Sequence, residues 1–312
     1  MIPQSQSQTT QRLLLVGLGR IAKYHLAALE TVPNLYAVAA VDPGPTTHHL
    51  YRGTPIPLYS ELTVAIAKTH PDIIVIATPT GSHVALAEAA TSLAPDATVL
   101  VEKPWAAPNE PALRVPDNAH ILYHMRFASE VLWATAQVSE LGALTRSSQF
   151  FFDPYAADQS QAVSSLHSSW YDSGINALSA LSAFAAPKEV SSLRILPDAF
   201  STFAAELILT RRDNTPVPAT LLTSWEAGAA AQSTTLTFDS GHQLVMNHTA
   251  GVAYLLRAGL LLDFFAANPL VHRRQSHYQN LYQVLAHTGP AGIDLVDTPT
   301  LQHLLDVPTT SL

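Results

Sequence analysis

The first part of the chain alternates short, mostly apolar runs with longer amphipathic stretches. The apolar runs have the length of buried strands and lie at 13–16, 35–41, 72–77, 99–101 and 121–123. The stretches between them at 20–31, 60–69 and 81–93 have helical periodicity. Alternating strands and helices predict a parallel sheet that is covered on both faces. We therefore expect an α/β domain with a doubly wound parallel sheet of the Rossmann type.

The pattern changes near residue 125. It predicts a strand at 144–153, helices at 128–141, 170–184, 273–287 and 299–306, and consecutive strands between 190 and 248. Because turn residues rather than helices separate those consecutive strands, they predict an α+β domain with a large, mostly antiparallel open sheet. The predicted organisation is a disordered lead-in at 1–11, a Rossmann dinucleotide-binding domain at 12–124, a substrate-binding and oligomerisation domain at 125–298, and a C-terminal helix and tail at 299–312 that can reach back to the Rossmann domain.

Charge is sparse along the whole chain. The 312 residues include 16 Lys and Arg, 24 Asp and Glu, and 47% hydrophobic residues, and the net charge is −8. This composition excludes an intrinsically disordered protein and argues against a nucleic-acid binder, which needs a basic surface. Apolar stretches end well before the roughly 20 residues of a membrane-spanning helix. A surface so poor in charge is expected where one subunit covers another, so we predict a homo-oligomer, either a dimer or a tetramer.

Two residue patterns that are absent from the sequence exclude several kinds of site. There are no cysteines, which excludes disulfides, thiolate metal ligands and a cysteine nucleophile. The histidines show no spacing typical of a zinc site, so no metal is expected. The first twelve residues are polar and lack the apolar core of a signal peptide, so a cytoplasmic protein is expected.

A dinucleotide fingerprint follows the first predicted strand. The segment Gly17-Leu18-Gly19-Arg20-Ile21-Ala22 fits G-x-G-x-x-A, in which the glycines allow a tight turn and close approach of a pyrophosphate. Asp42 ends the second strand, 20 residues after Ala22, where an acid binds the ribose 2′-hydroxyl and repels a 2′-phosphate. We therefore predict NAD as cofactor. NADP stays open because nearby cations could bind its 2′-phosphate, namely Arg20, His48, His49 and Arg52.

Three more motifs occur at the ends of later strands. They are Thr78-Pro79-Thr80-Gly81-Ser82-His83, Glu102-Lys103-Pro104 and Tyr123-His124-Met125-Arg126-Phe127. Their order resembles the Gfo/Idh/MocA family of NAD(P)-dependent oxidoreductases over roughly residues 12–306. The resemblance implies a Rossmann domain followed by a substrate domain with an open sheet that often builds the oligomer. It also implies cofactor contacts from Thr78, Pro79, His83, Glu102 and Lys103, and a cis bond before Pro104.

The segment Trp170-Tyr171-Asp172-Ser173-Gly174-Ile175-Asn176 departs from the common family motif. That motif is Asp-x-Gly-x-His with histidine as acid/base, whereas this chain has Asn176, which cannot exchange a proton near neutral pH. The segment resembles the aldose 1-dehydrogenase branch of the family. We expect Asp172 to be the general base, Lys103 its electrostatic partner and Asn176 the group that orients the substrate, with His124 as the alternative base. Further substrate contacts are expected from Arg126, Tyr155 and Trp170.

Three functions remain open at this point. The first is oxidation of an aldose at C1 to the lactone with NAD(P). The second keeps the enzyme but changes the substrate to an inositol, a nucleotide sugar or an imine, because a shared scaffold does not fix a substrate. The third is a non-catalytic regulator that binds the dinucleotide. The loss of the histidine favours this last function, whereas Lys103 and Asp172 argue against it.

Overall fold

Two β-sheets organise the chain in a computed structural model that describes residues 10–44, 50–108, 110, 114–155, 167–196, 201–293, 298–306 and 310–311. The first sheet is built by β1 (Gln11–Val16), β2 (Leu35–Val41), β5 (Leu58–Tyr59), β6 (Ile73–Ile76), β7 (Thr98–Glu102) and β8 (Ala119–Leu122). The short strands β3 (Leu50–Tyr51) and β4 (Thr54–Pro55) form a separate hairpin. The helices of this half are α1 (Ala22–Leu29), α2 (Leu62–Thr69) and α3 (His83–Leu93).

The first sheet is parallel and has the strand order β5-β2-β1-β6-β7-β8. Leu13, Leu14 and Leu15 of β1 are completely buried, as expected for a central strand with helices on both faces. From the centre of the sheet, the chain adds β2 and β5 on the outer side of β1, and β7 and β8 on the outer side of β6. A crevice at this switch point is where doubly wound sheets bind ligands. The predicted parallel sheet of the Rossmann type is therefore confirmed.

The second half contains a nine-stranded sheet with the order β16-β15-β14-β13-β9-β12-β11-β10-β17. Its strands are β9 (Leu144–Phe152), β10 (Ala186–Ile195), β11 (Thr202–Thr210), β12 (Pro216–Ser224), β13 (Ala231–Phe238), β14 (His242–Asn247), β15 (Val252–Arg257), β16 (Leu260–Ala266) and β17 (Thr310–Ser311). Neighbouring strands are antiparallel except for β9 with β12 and β10 with β17. The prediction of a large, mostly antiparallel sheet is confirmed.

The sequence pattern did not predict β15 and β16. Along β13, buried and partly exposed residues alternate strictly, which is the signature of a strand with one covered face. In β16 no residue is buried. Its sequence has three leucines in a row, Leu260, Leu261 and Leu262, and lacks the alternation of apolar and polar residues that marks a half-covered strand. An edge strand of this kind is defined by its pairing with β15 rather than by its own pattern.

The remaining helices are α4 (Ser129–Gln137), α5 (Ile175–Leu181), α6 (Arg273–Thr288) and α7 (Thr298–Leu305). A π-helical turn, Trp170–Gly174, leads into α5, and a 3-10 turn, His124–Phe127, follows β8. These segments connect the two sheets and cover the crevice between them.

The packing of the last two helices differs from the predicted division of the chain. Helix α6 lies within the predicted substrate domain, but its Tyr278, Leu281 and Tyr282 pack into the apolar core around β1 and α1 of the first domain. Helix α7 packs against α5 and β10 of the second domain, and its link to the first domain is a hydrogen bond from Ala106 N to Gln302 Oε1 at 3.4 Å. The predicted lead-in at 1–11 lies outside the described residues as far as residue 9, and β1 begins at Gln11.

Within the described part of the chain, no helix has both the length and the apolar character needed to cross a membrane.

Candidate active site

A cavity of about 810 Å³ lies between the two domains at the carboxyl ends of the strands of the first sheet. One end is formed by the loops after β1, β2, β6 and β7, and the other by residues of the second domain and of α6. Nearly all residues predicted to form the site line this cavity: Gly17, Gly19, Arg20, Ile21, Asp42, Thr78, Pro79, His83, Glu102, Lys103, His124, Tyr155, Asp172 and Asn176. The fold therefore brings together motifs that are far apart in the sequence.

The two glycines of the fingerprint have different roles. Gly17 has φ +94°, and a Cβ at this position would lie 2.6 Å from the carbonyl oxygen of Ala77. The turn after β1 therefore requires glycine for its own packing. A Cβ at Gly19 would meet no protein atom within 4 Å, although Gly19 lines the cavity. Space that the protein leaves open before the start of α1 fits a pyrophosphate at a helix N-terminus.

Asp42 closes the turn that follows β2. Its Oδ2 accepts a hydrogen bond from the Leu18 backbone N at 2.8 Å and its Oδ1 accepts one from the Gly44 N at 2.9 Å. These bonds fix the carboxylate beside the glycine loop and leave acceptor positions free, as binding of a ribose diol requires. The cations that could favour NADP are placed differently. Arg20 lines the cavity, Arg52 lies over the rings of Tyr36 and Tyr51, and His48 and His49 lie outside the described residues.

His83 joins the loops that follow β6 and β7. Its Nδ1 lies 2.9 Å from the Pro104 carbonyl oxygen and its Nε2 lies 2.8 Å from the Thr78 carbonyl oxygen. Burial lowers the pKa of His83, so the ring is neutral near neutral pH and donates one hydrogen bond at a time. His83 begins α3 and also forms part of the cavity wall, so the two roles considered from the sequence coincide.

Glu102 is held by a buried network behind Lys103. Its Oε1 accepts a hydrogen bond from the Tyr278 hydroxyl at 2.6 Å and lies 3.1 Å from His25 Nε2. The other nitrogen of His25, Nδ1, lies 2.6 Å from the Tyr282 hydroxyl. Burial alone would raise the pKa of Glu102, but the bonds to His25 and Tyr278 outweigh it and hold that pKa below its ordinary value. Glu102 is therefore an anion that supports the adjacent lysine.

Lys103 and Asp172 form the ion pair at the centre of the cavity. The Lys103 Nζ donates hydrogen bonds to Asp172 Oδ1 at 2.6 Å and to the Asp172 backbone oxygen at 3.3 Å. Only 10% and 11% of the two side chains are exposed. The Lys103-Pro104 peptide bond is cis, as the family resemblance implied. Asp172 lies in the π-helical turn and Asn176 in α5, and both line the cavity.

Gly174 lies between Asp172 and Asn176 in the sequence, and the Trp170 ring leaves little space for a side chain at this position. A Cβ there would lie 3.0 Å from Cε3 of Trp170, so the indole ring packs directly on the glycine.

His124 forms a buried pair with a second histidine. Its Nδ1 lies 3.2 Å from Nδ1 of His277, and both rings line the cavity. Burial lowers the pKa of His124 well below its ordinary value, and His277 and the nearby cations lower it further. Burial likewise lowers the pKa of His277 to about 3. Both rings are therefore neutral near neutral pH, which is the form in which a histidine can accept a proton.

Further polar residues line the cavity besides the predicted site residues. Asp153 accepts hydrogen bonds from Gln232 Nε2 at 3.0 Å and from Ser173 Oγ at 2.8 Å, and its pKa is raised by burial and by the charge of Asp172. Gln232, Arg273, Arg274, His277 and Tyr278 complete this wall. Strand β13 and helix α6 are far from the motifs in sequence, so only the fold brings them to the cavity.

Two predicted substrate-binding residues do not line the cavity, and this is a correction. The Arg126 side chain is buried and donates to the Ile293 carbonyl oxygen at 3.2 Å, which ties the turn after β8 to the end of α6. Trp170 is also buried, and its Nε1 donates to the Leu305 carbonyl oxygen at 3.1 Å. Both side chains bind backbone oxygens of neighbouring segments, and neither is among the residues that line the cavity.

Comparison with known proteins agrees with this architecture. Residues 11–120 match the sequence model of the Gfo/Idh/MocA family, described as an oxidoreductase family with an NAD-binding Rossmann fold. None of the curated proteins matches the chain at a significant level.

Several solved structures share the fold across both domains. An oxidoreductase from Agrobacterium radiobacter in complex with NAD+, L-tartaric acid and magnesium has a TM-score of 0.73 and 16% identity, covering 96% of this chain and 95% of that one. A myo-inositol dehydrogenase from Corynebacterium glutamicum has a TM-score of 0.70 and 18% identity, covering 95% of each chain. UDP-N-acetylglucosamine 3-dehydrogenase from Acidithiobacillus ferrooxidans has a TM-score of 0.69 and 15% identity, covering 95% of this chain and 94% of that one.

At these sequence identities the solved structures show only the fold. The family model shows that residues 11–120 resemble an NAD-binding Rossmann domain. The open space at Gly19 and the fixed carboxylate of Asp42 fit the same cofactor. Residues 11–120 of this chain are therefore similar to the NAD-binding Rossmann domain of the Gfo/Idh/MocA oxidoreductases, and the fold of this domain is that of an NAD-binding Rossmann domain.

Proposed function

We propose that the chain is an NAD-dependent dehydrogenase that acts on a CH–OH group of a sugar or sugar-like polyol, with C1 of an aldose as the reacting carbon. The observation that carries this proposal is the contact of 2.6 Å between Lys103 Nζ and Asp172 Oδ1. The pair faces the same cavity as the glycine loop and Asp42, so a substrate held there lies next to the cofactor site.

The reaction balances with the residues present. Bound NAD+ supplies the hydride acceptor. As the C–H bond of the alcohol carbon breaks, Asp172 accepts the hydroxyl proton and a carbonyl forms at that carbon. Lys103 donates a hydrogen bond to the same oxygen and stabilises the negative charge that develops on it. The Glu102 carboxylate, fixed by Tyr278 and His25, supports the lysine from behind.

The choice of C1 rests on the replacement of histidine by Asn176. An anomeric hydroxyl is more acidic than an ordinary alcohol, so a carboxylate suffices as base where a histidine is absent. Asn176 can orient the hydroxyl by donating or accepting a hydrogen bond, but it cannot take its proton. His124 is the alternative base because its ring lines the same cavity, although the lowered pKa makes it a weaker proton acceptor than an ordinary histidine. An inositol or nucleotide-sugar substrate is the alternative within the same chemistry.

A non-catalytic regulator is disfavoured by the buried ion pair. Taking two charges out of water costs several kcal/mol per ion before their attraction compensates. A chain that only bound the dinucleotide would have no reason to maintain such a pair in its cavity.

The test is a turnover screen with purified protein. NAD or NADP is combined in turn with aldoses, inositols and 2-hydroxy acids, and formation of the reduced cofactor is followed by absorbance. Turnover of aldoses with a free C1, and of inositols less well, is the expected result. Tight NAD binding without turnover of any compound would reject the dehydrogenase in favour of the regulator.

Variants then test the two roles. Asp172→Asn should lower kcat by about 10²–10⁴, as for loss of a general base, and Lys103→Met by about 10²–10³. The NAD affinity of each should stay within about threefold. Asp213→Asn and Lys188→Met change exposed residues far from the cavity and serve as matched controls with unaltered kcat. If His124→Gln abolished turnover while Asp172→Asn retained it, His124 would be the base.

A further inference from the structure

Two adjacent arginines, Arg273 and Arg274, begin helix α6 and line the substrate end of the cavity. The first turn of this helix has no acidic residue. A helix N-terminus carries positive partial charge, which favours anions and disfavours cations in the first turn. Two guanidinium groups at this position are therefore unfavourable for the stability of the helix, and burial together with the charge of Arg274 lowers the pKa of Arg273.

The partners of these arginines are neutral. Arg273 Nη1 donates to Gln232 Oε1 at 2.6 Å and to the His248 carbonyl oxygen at 3.4 Å. Arg274 Nη2 donates to the Tyr155 hydroxyl at 3.3 Å. In the part of the chain that the structure describes, neither guanidinium forms an ion pair with a carboxylate. The carboxylates of Asp153 and Asp172 act on Arg273 and Arg274, respectively, without forming an ion pair, and the pKa of Arg274 is raised. Donors that no carboxylate of the described residues occupies are suited to a ligand with a negative charge.

The surrounding side chains hold Arg273 in one orientation. The Gln232 amide donates from Nε2 to the carboxylate of Asp153 at 3.0 Å, which turns its Oε1 towards the guanidinium. Arg273 therefore keeps its Nε and Nη2 donors for a ligand, since its described hydrogen bonds use only Nη1. A fixed guanidinium fork matches the geometry of a carboxylate or phosphate group.

The positive charge extends across the pocket. Lys103 adds a third cation, and the cations together contribute to the low pKa values of His124 and His277. Three carboxyl groups also line the cavity. Asp172 is paired with Lys103, Glu102 is held by Tyr278 and His25, and the pKa of Asp153 is raised by burial, so none of them forms an ion pair with either arginine in the described residues. The substrate end is therefore suited to a ligand with a negative charge and hydroxyl groups.

We propose that Arg273 and Arg274 bind a carboxylate or phosphate group of the substrate. The preferred substrate is then an anionic sugar derivative, such as a sugar acid or sugar phosphate, and neutral aldoses and inositols bind more weakly in the same site. This inference rests on the proposed function, because it assigns a substrate class to the same site. The other anion that could reach Arg274 is the pyrophosphate of the cofactor, since the guanidinium lies 6.0 Å from the ring of Tyr24 in α1.

Binding and turnover are measured separately to test this. Wild-type protein saturated with NADH is titrated calorimetrically with glucose, glucuronate and glucose 6-phosphate, and with the corresponding galactose series. The same titrations are made with Arg273→Gln and Arg274→Gln. Arg212→Gln changes an exposed arginine outside the cavity and is the matched control. Turnover with NAD is then followed for the same compounds.

At least one anionic compound should bind about tenfold or more tightly than its neutral parent, and less tightly as salt concentration rises. Each arginine variant should lose on the order of tenfold to a hundredfold in affinity for that compound, with NADH affinity unchanged. Absence of any preference for anions in both series would overturn the proposal. It would also be overturned if the variants lost NADH affinity by the same factor. Anion-selective binding without turnover would instead reject the proposed dehydrogenase and leave the anion site standing.

Discussion

In the glycine loop, adding a methyl group at Gly17 should lower the stability of the fold, whereas adding one at Gly19 should weaken cofactor binding. At Gly17 the added Cβ would lie 2.6 Å from the Ala77 carbonyl oxygen, at φ +94°. The left-handed backbone alone costs about 1–2 kcal/mol with a side chain, and relief of the clash adds to it. We expect Gly17→Ala to lower the free energy of unfolding by about 2–4 kcal/mol, within the upper range for single substitutions.

At Gly19 the same methyl group meets no protein atom within 4 Å, and the backbone is not left-handed. Gly19→Ala should leave the free energy of unfolding unchanged or raise it by about 0.4–1 kcal/mol, because alanine restricts the unfolded chain. The methyl group would, however, occupy space that the pyrophosphate needs, so NAD affinity should fall by about tenfold or more.

Urea unfolding and calorimetric titration with NADH measure the two quantities. Gly228→Ala is the matched control, because its Cβ also meets nothing within 4 Å and Gly228 does not line the cavity. Native NADH affinity in Gly19→Ala would refute the placement of the pyrophosphate on this loop. A loss of stability equal to that of Gly17→Ala would refute the distinction between the two glycines.

Three further predictions concern the cofactor, pH and assembly. Asp42→Ser should reduce the preference for NAD over NADP by about tenfold, as measured by the ratio of kcat/KM, and an unchanged ratio would contradict the assigned ribose contact. The pKa of His277 is about 3 in the folded protein and about 6.5 in the unfolded chain. Between pH 7 and pH 5 only the unfolded chain binds this proton, so the free energy of unfolding should fall by about 2 kcal/mol over that range. Urea unfolding at the two pH values should therefore show a smaller fall in the free energy of unfolding for His277→Gln than for the wild type. Equal falls would argue against a neutral buried ring. The exposed side chains of Leu262 (53%) and Phe264 (62%) on β16 should be covered in a homo-oligomer, so Leu262→Glu with Phe264→Glu should reduce the mass in light scattering, unless the wild type is already a monomer.

The site motifs of the first domain could be predicted from local sequence because each follows a buried strand. Strands of a parallel sheet end at the same edge, so Gly17, Asp42, Thr78 and Lys103 had to meet once the alternation of strands and helices was recognised. The match of residues 11–120 to an NAD-binding family rests on the same local features. The replacement of histidine by Asn176 was also readable directly.

The substrate end depends on contacts that no local pattern carries. Gln232 comes from the middle of the second sheet, Arg273 from the start of α6, and Asp153 from the end of β9, and their hydrogen bonds join them into one wall. Trp170 and Arg126 show the converse, since their residue types suggest ligand contacts while the packing of α7 and of the 290–293 turn buries them.

The sequence by itself predicted the parallel sheet of the first domain, its glycine turn and the polar motifs at the strand ends, because these depend on buried strands and short spacings. The contact between Lys103 and Asp172, which are 69 residues apart, was decided by the tertiary structure. Only the tertiary structure decided which side chains face the substrate. That choice depends on where α6 packs against α1 and on how the strands of the nine-stranded sheet are ordered, and both are contacts between segments that are far apart in the sequence.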